Sequence, residues 1–243
     1  MRLIRNPFKS LFKFEKAFCI FATMISSSPL EFKIFDQTLL LLPQKSIFWI
    51  EQQMLIVADL HIGKVGHFRK AGIAIPRSME QEDLAVLSDL IVQYKPTTVT
   101  FLGDLFHSEL NNDWDWFVLW RQLHKNVGMI LVKGNHDILN LKYYQESRFR
   151  LFDILAIGPF VFSHEPLKES AMSGLKGYII SGHIHPAVKL RGKGRQSVTL
   201  PCFHFGVRQA LIPAFGKFTG KVCVKCESDD RVFGVLKHKV IAL

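Results

Sequence analysis

The sequence has no uncharged apolar stretch approaching the ~18 residues of a membrane-spanning helix, so no transmembrane segment is expected. Cysteine is scarce: Cys19, Cys202, Cys223 and Cys226 are the only four in 243 residues. That is too few for a disulfide framework and fits a reducing, cytoplasmic compartment. Charged residues make up only 21% of the chain against 48% hydrophobic, which excludes a disordered polyelectrolyte or a fibrous repeat. Neither a linker nor a solenoid-period repeat is present. A chain of this length buries roughly 70–75% of its unfolded surface, enough for one α/β or all-β domain.

Acidic residues are outnumbered, 21 against 31 Lys and Arg, for a net charge of +10. Such a surplus favours polyanionic partners, nucleic acid or acidic lipid, and carries no information on fold. Four of those charges lie in residues 1–23, where Arg2, Arg5, Lys9, Lys13 and Lys16 face Glu15 alone. Residues 17–25 are apolar, as in a secretory signal. However, Glu15 and Lys16 adjoin them and Ser26-Ser27-Ser28-Pro29 is no A-x-A cleavage site. A loosely attached extension over 1–23 is therefore expected rather than a signal or a basic amphipathic anchor, with Met24 as a candidate start and a single domain over 24–243.

Along that domain, 32–50 reads as two short strands with Pro43-Gln44 as their turn. Met54–Ala58 is a continuous apolar run that stops at Asp59, the pattern of a buried strand delivering a polar residue at its end. From Ser78 to Tyr94 the spacing of Leu84, Leu87, Leu90 and Ile91 predicts a helix, stopped by Lys95-Pro96. A strand over Thr98–Leu102, a helix over 114–123 and strands over 129–132, 160–162 and 178–180 follow. Beyond 186 come only short β-like runs (198–200, 222–224, 232–236) between turns.

Histidine is the residue worth tracing, as the commonest metal ligand and acid–base group. Five consecutive apolar runs end in metal-competent residues: Asp59-x-His61, Gly103-Asp104, Gly134-Asn135-His136-Asp137, His164 and Gly182-His183-x-His185. In open α/β sheets, sites form at the carboxyl ends of strands. On an extended chain, residues two apart project to the same side, so Asp59 with His61, or His183 with His185, could hold one ion. The glycines are expected to let the backbone turn sharply out of the sheet. Oxygen, amide and imidazole donors without thiolate suit Mn, Fe or Zn. A single Asp at a strand end is usually a turn or cap residue, and G-N-H-D or G-H-x-H alone can be a turn; five blocks in order, each after an apolar strand, are not accidents.

In this order the blocks over about 54–190 resemble the calcineurin-like metallophosphoesterases, which implies an α/β fold, a four-layer α/β/β/α sandwich. The resemblance implies two divalent transition-metal ions, Mn2+ foremost with Fe or Zn as options. Asp59, His61 and His185 would hold one, Asn135, His164 and His183 the other, and Asp104 would bridge them. Two such cations lower the pKa of water between them and neutralise phosphoryl oxygens. His136 resembles the family's catalytic imidazole, and Asp137 would accept a hydrogen bond from that ring. The runs 58–64, 67–76, 103–108 and 211–216 are similar to the ligase-associated, PdeM-type branch. That likeness implies a DNA-repair endonuclease or phosphodiesterase working with a DNA ligase and a helicase. The lipid A pathway pyrophosphatases of the superfamily carry Arg where His136 stands, which argues against them. A phosphodiesterase of small or cyclic nucleotides, or a non-catalytic scaffold, are the alternatives.

Outside these blocks, Lys64, His67, Arg69 and Lys70 could hold a substrate phosphate or form a solvated loop. His107, three residues past Asp104, is read as facing the ligands or the substrate, with a structural role as the alternative. Lys189, Arg191, Lys193 and Arg195 alternate after the last block; on a hairpin they form either a track for a nucleic-acid backbone or a charged edge that blocks aggregation. Cys223-x-x-Cys226 has zinc spacing but no second pair, so ordinary thiols are expected. Trp114, Trp116 and Trp120 are expected to pack rather than stack on bases. His124, His204 and His238 carry no motif.

Overall fold

The structure, a computed structural model, describes residues 28–70, 72, 81–107, 112–172 and 174–243. The expected extension over 1–23, Met24 and the predicted helix start at Ser78 lie outside the described residues.

Two sheets form the centre. The first runs in chain order: β1 (Leu30–Ile34), β2 (Gln37–Leu42), β3 (Ser46–Trp49), β4 (Met54–Ala58), β5 (Thr98–Leu102), β6 (Gly128–Val132) and β7 (Phe149–Phe152). Strands β1 to β4 are antiparallel and β4 to β7 parallel. Parallel neighbours need crossovers, supplied by helices α2 (Glu82–Tyr94), α3 (Asn112–Leu123) and α4 (Leu141–Glu146); a short α1 (Lys64–Lys70) follows β4. The second sheet contains β8 (Leu155–Ile157), β9 (Phe160–Ser163), β10 (Tyr178–Ser181), β11 (Pro186–Arg191), β12 (Ser197–Phe205), β13 (Gln209–Leu211) and β14 (Val222–Cys223). Its order is β14-β11-β12-β13-β10-β9-β8, and β15 (Arg231–Val235) and β16 (Val240–Ala242) join through β12.

Side-chain alternation decides the layers. Leu55 and Val57 of β4 pack under the helices with Leu84, Leu87 and Trp120, whereas Ile56 and Ala58 face the second sheet and Phe160, Phe162 and Ile180. Each such buried side chain contributes roughly 1.5–3 kcal/mol. The outer face of the second sheet carries Val161 and Ile179 against Met172 of the one-turn α5 (Glu169–Met172). The result is the four-layer α/β/β/α sandwich, with a thin fourth layer. Trp114 and Trp120 lie in the helix-side core with Trp116 packed against it, and Trp120 Nε1 donates to Ser88 Oγ at 2.9 Å. Cys202 is buried, while Cys223 and Cys226 are exposed thiols.

The N-terminal half of the first sheet differs from the expected two strands. Pro43-Gln44 does turn the chain, closed by Lys45 N–H to Leu42 O at 2.9 Å. A second turn at Phe35-Asp36 splits the first segment, with φ of 51° and 57°. Positive φ at both central residues is the hairpin geometry that usually calls for Asn-Gly; Asp36 suits it, but Phe35 does not advertise it.

Candidate metal centre

The ligand candidates stand where β4, β5, β6, β9 and β10 end. At three of these exits the backbone turns left-handed on the ligands themselves: φ is 54° at Asp59, 50° at His61, 49° at Asp104, 65° at His183 and 53° at His185. Asp and His are among the residues that tolerate this region, but each costs on the order of 1–3 kcal/mol and persists only where its surroundings over-determine it. The expectation that Asp59 and His61 share a side of an extended chain is thereby corrected, since two left-handed residues, not an extended segment, aim them. The loops are locked together by backbone bonds from His61 N–H to Asp104 O at 2.9 Å and Ile62 N–H to Leu105 O at 2.9 Å.

The motif glycines act differently from expectation too. Only Gly103 turns with positive φ, 72°. At Gly103 a Cβ would lie 2.1 Å from His164 Nδ1, at Gly134 2.4 Å from Asp104 Oδ1, and at Gly182 2.6 Å from Asp59 Oδ2. Close approach of the ligand side chains to bare backbone is what requires glycine there.

Two groups of ligand atoms result. In Asp59, His61 and His185 one donor atom from each lies within 4.8 Å of the others, and the same holds for Asp104, His164 and His183. Asp59 Oδ1 is 3.5 Å from His185 Nε2, while Oδ2 accepts the His183 N–H at 2.9 Å. Asp104 reaches both groups, with Oδ2 3.7 Å from His61 Nε2 and Oδ1 3.5 Å from His164 Nε2.

The donor chemistry fits cations. His164 Nδ1 donates to the Leu102 carbonyl at 2.9 Å, so a neutral ring carries its lone pair on Nε2. His164 Nε2 lies 3.0 Å from Asn135 Oδ1 and 3.0 Å from His183 Nδ1, so imidazole and amide donor atoms of the kind that hold a divalent ion converge there. In the other group Asp59 Oδ1 and both ring nitrogens of His61 are buried without a hydrogen bond. Burial, reinforced by Lys64, His185, His107 and His136, pushes His61 down to about 2, leaving the neutral imidazole that a metal needs.

The His136 N–H donates to Asp104 Oδ1 at 2.9 Å, and its ring centroid lies 5.3 Å from that of His107 and 5.5 Å from that of His61. Asp137 does not serve the His136 ring as expected. Its Oδ2 accepts the Gly134 N–H at 2.8 Å and its Oδ1 the Leu105 N–H at 3.0 Å and, more weakly, the Phe106 N–H at 3.4 Å. It therefore fastens the loop after β6 to the loop after β5. Burial drives its carboxyl up to about 6, with these amides pulling the other way and Asp104 adding to the rise.

Of the substrate-binding candidates, His107 joins the imidazole group, its ring 5.5 Å from His61. Lys64 opens α1 rather than a loop; burial lowers its pKa, and Asp104 and Asp59 oppose that shift, so its ammonium feels the ligand carboxylates. The side chains of His67, Arg69 and Lys70 lie outside the described residues. Lys189 and Arg191 are exposed on β11, which starts one residue past His185 and forms a hairpin with β12; Lys193 is in its turn.

Two further contributors come from outside the five motif blocks. The 212–216 segment straps the strand ends, with Ile212 N–H to Ser181 O at 2.9 Å, Phe215 N–H to Ala58 O at 2.8 Å and Gly216 N–H to Asp59 O at 3.1 Å. Lys45, from the β2–β3 turn, donates to Gly216 O at 3.1 Å.

Stacked sheets between helical layers, with two adjoining Asp/His groups at the strand ends, define a metal-dependent phosphoester hydrolase. The chain belongs to the calcineurin-like phosphoesterase family, whose profile matches residues 53–196. Among solved structures, it is similar to the Pseudomonas putida nuclease MPE, at 29% identity over 89% of this chain and 100% of that chain, with a TM-score of 0.75. Yfce, a phosphoesterase from E. coli, matches at 12% identity over 74% of this chain and 86% of its own, with a TM-score of 0.39. No curated protein matches the chain. Among the described residues no helix is long and apolar enough to cross a membrane.

Proposed function

We propose that residues 24–243 act as one domain that hydrolyses phosphodiester bonds in nucleic acid, DNA foremost, using two divalent transition-metal ions, Mn2+ foremost. The observation that carries this reading is the convergence of acceptor atoms in the two groups joined by Asp104, with His136 and His107 at their edge. The full-length likeness to a nuclease supports the polymeric substrate.

Asp59, His61 and His185 would hold one ion, Asn135, His164 and His183 the other, and Asp104 both. When bound, the ions supply positive charge for the phosphoryl oxygens and lower the pKa of a water molecule. His136 stands beside them on a loop fixed through its own backbone N–H to Asp104, and its ring stabilises the equatorial oxygens by hydrogen bonding or gives its proton to the leaving oxygen. Asp137 is a positioning residue that holds this loop by backbone amides. Lys64, His107, His67 and Arg69 orient the phosphate, and Lys189, Arg191 and Lys193 follow the strand. A cytoplasmic location, a role in DNA repair and cooperation with a DNA ligase and a helicase belong to the same reading.

The test is an assay of purified protein, with Mn2+ and with chelator, on single- and double-stranded DNA, RNA, a 2′,3′-cyclic nucleotide, bis-p-nitrophenyl phosphate and p-nitrophenyl phosphate. Metal-dependent DNA scission, with the chromogenic diester cut faster than the monoester, is the expected result. Turnover of the cyclic nucleotide with every polynucleotide left intact would overturn the reading.

A further inference from the structure

Lys45 occupies a left-handed turn position, φ 60°, and its side chain is half-buried rather than solvated. Its Nζ donates to Gly216 O at 3.1 Å; among the described residues this is its one hydrogen bond, and it forms no ion pair. An ammonium has three N–H donors, so two remain available. Lys217 pairs with Glu82, and Asp83, whose charge acts on Lys45 without an ion pair, accepts the Lys217 backbone N–H at Oδ2 at 3.1 Å.

A cleft opens to solvent beside this ammonium, with Lys45, His185, Pro186, Pro213, Thr219 and Lys221 on its walls. One wall is thus a candidate metal ligand. Two backbone ties fix the lysines relative to the ligands. Gly216, which receives Lys45, donates to Asp59 O at 3.1 Å, and Val222, next to Lys221, donates to His185 O at 3.1 Å. Burial, then Lys221 and Lys217 against the opposing Asp83, brings Lys45 down to about 8. A half-buried cation that feels Asp83 but forms no ion pair with it, beside a second lysine, is a place where an anion removes a cost.

We propose that this cleft is a second phosphate subsite, in which Lys45 and Lys221 hold the phosphodiester group of a nucleic-acid strand next to the one at the metal ligands. The inference rests on the nucleic-acid reading and extends it by naming how the strand, rather than a single phosphate, is recognised. Two cations at a fixed distance from the ligands would favour a polymer over a small diester, because only the polymer reaches both places.

The test uses the full chain loaded with Mn2+, with Lys45→Met and Lys221→Gln made separately. The substrates are a decathymidylate lacking terminal phosphates and bis-p-nitrophenyl phosphate, which has one phosphate. The ratio of kcat/KM on the decamer to that on the small diester is expected to fall roughly tenfold in each variant, the scale of one lost charge-assisted hydrogen bond. In chelator, where no turnover occurs, the decamer's Kd by fluorescence anisotropy is expected to rise severalfold. Lys221 is exposed, so its substitution leaves the fold intact. A ratio unmoved in both variants, or an unmoved Kd, overturns the subsite while leaving decamer cleavage by the unaltered chain in place. Failure of the unaltered chain to cut the decamer at all overturns the nucleic-acid reading itself.

Discussion

The backbone N–H of His136 donates to Oδ1 of Asp104 across 2.9 Å, so the loop bearing the candidate acid is tied to the carboxylate that joins the two ligand groups. Asp104→Asn keeps an acceptor for that bond but removes the charge. Metal affinity at both positions is expected to fall at least the roughly 10–100-fold that loss of a supporting group costs, with the fold retained. Metal analysis after dialysis, alongside circular dichroism, checks this; unchanged metal content would contradict it.

His136→Ala separates chemistry from binding. Its ring is no member of either ligand group, so bound metal should stay near the level of the unaltered protein while turnover drops roughly 10²–10⁴-fold. Loss of metal instead would make His136 a ligand.

The three motif glycines offer a steric test. Gly103→Ala places a Cβ 2.1 Å from His164 Nδ1 at a φ of 72°, combining overpacking with backbone strain at roughly 1–3 kcal/mol each. Thermal unfolding should shift down by several degrees and metal binding should weaken. Gly72→Ala, also at positive φ but with open space around it, should lower stability without touching metal content.

The pH dependence of stability has a contributor far from the metal ligands. His124 Nε2 lies 2.8 Å from Ser88 Oγ, and burial, with Arg121, depresses the ring from 6.5 to about 4. The unfolded chain therefore binds the extra proton first. The stability this neutral ring contributes is complete above about 6.5 and is lost as pH falls toward 4. Urea unfolding of metal-free protein at pH 4.5 and 6.5 should show a smaller difference in His124→Gln than in the unaltered chain.

The exposed cations of the β11–β12 hairpin should be visible in salt dependence. If Lys189 and Arg191 contact phosphates, replacing both with Gln reduces the slope of log Kd against log salt by roughly 1.5, and weakens binding evenly across sequences. An unchanged slope would leave the hairpin as a protective edge.

Much of this arrangement was legible in the chain because the site is built at strand ends. An apolar run such as Met54–Ala58, buried on both faces, announces both the strand and the point where Asp59 emerges. The same local logic found β5, β6, β9 and β10 and the helical face of Leu84, Leu87 and Leu90. What escaped depends on contacts between distant segments. The left-handed turn at Phe35-Asp36 is held by pairing of β1 with β2 and carries no glycine. The role of Gly134 follows from Asp104, thirty residues earlier, whose atoms lie where a Cβ would stand. Asp137 was expected beside the imidazole next to it in sequence, whereas its carboxylate crosses to the amides of Leu105 and Phe106. Lys45 belongs to the site's surroundings only because Gly216 folds back onto Asp59.

The most direct test is a titration of Mn2+ into chelator-stripped protein, counting bound metal while following hydrolysis of bis-p-nitrophenyl phosphate in the same samples. The account predicts that turnover appears with metal and reaches its plateau at about two ions per chain. Absence of turnover at every loading of Mn2+, Fe2+ and Zn2+ would contradict it.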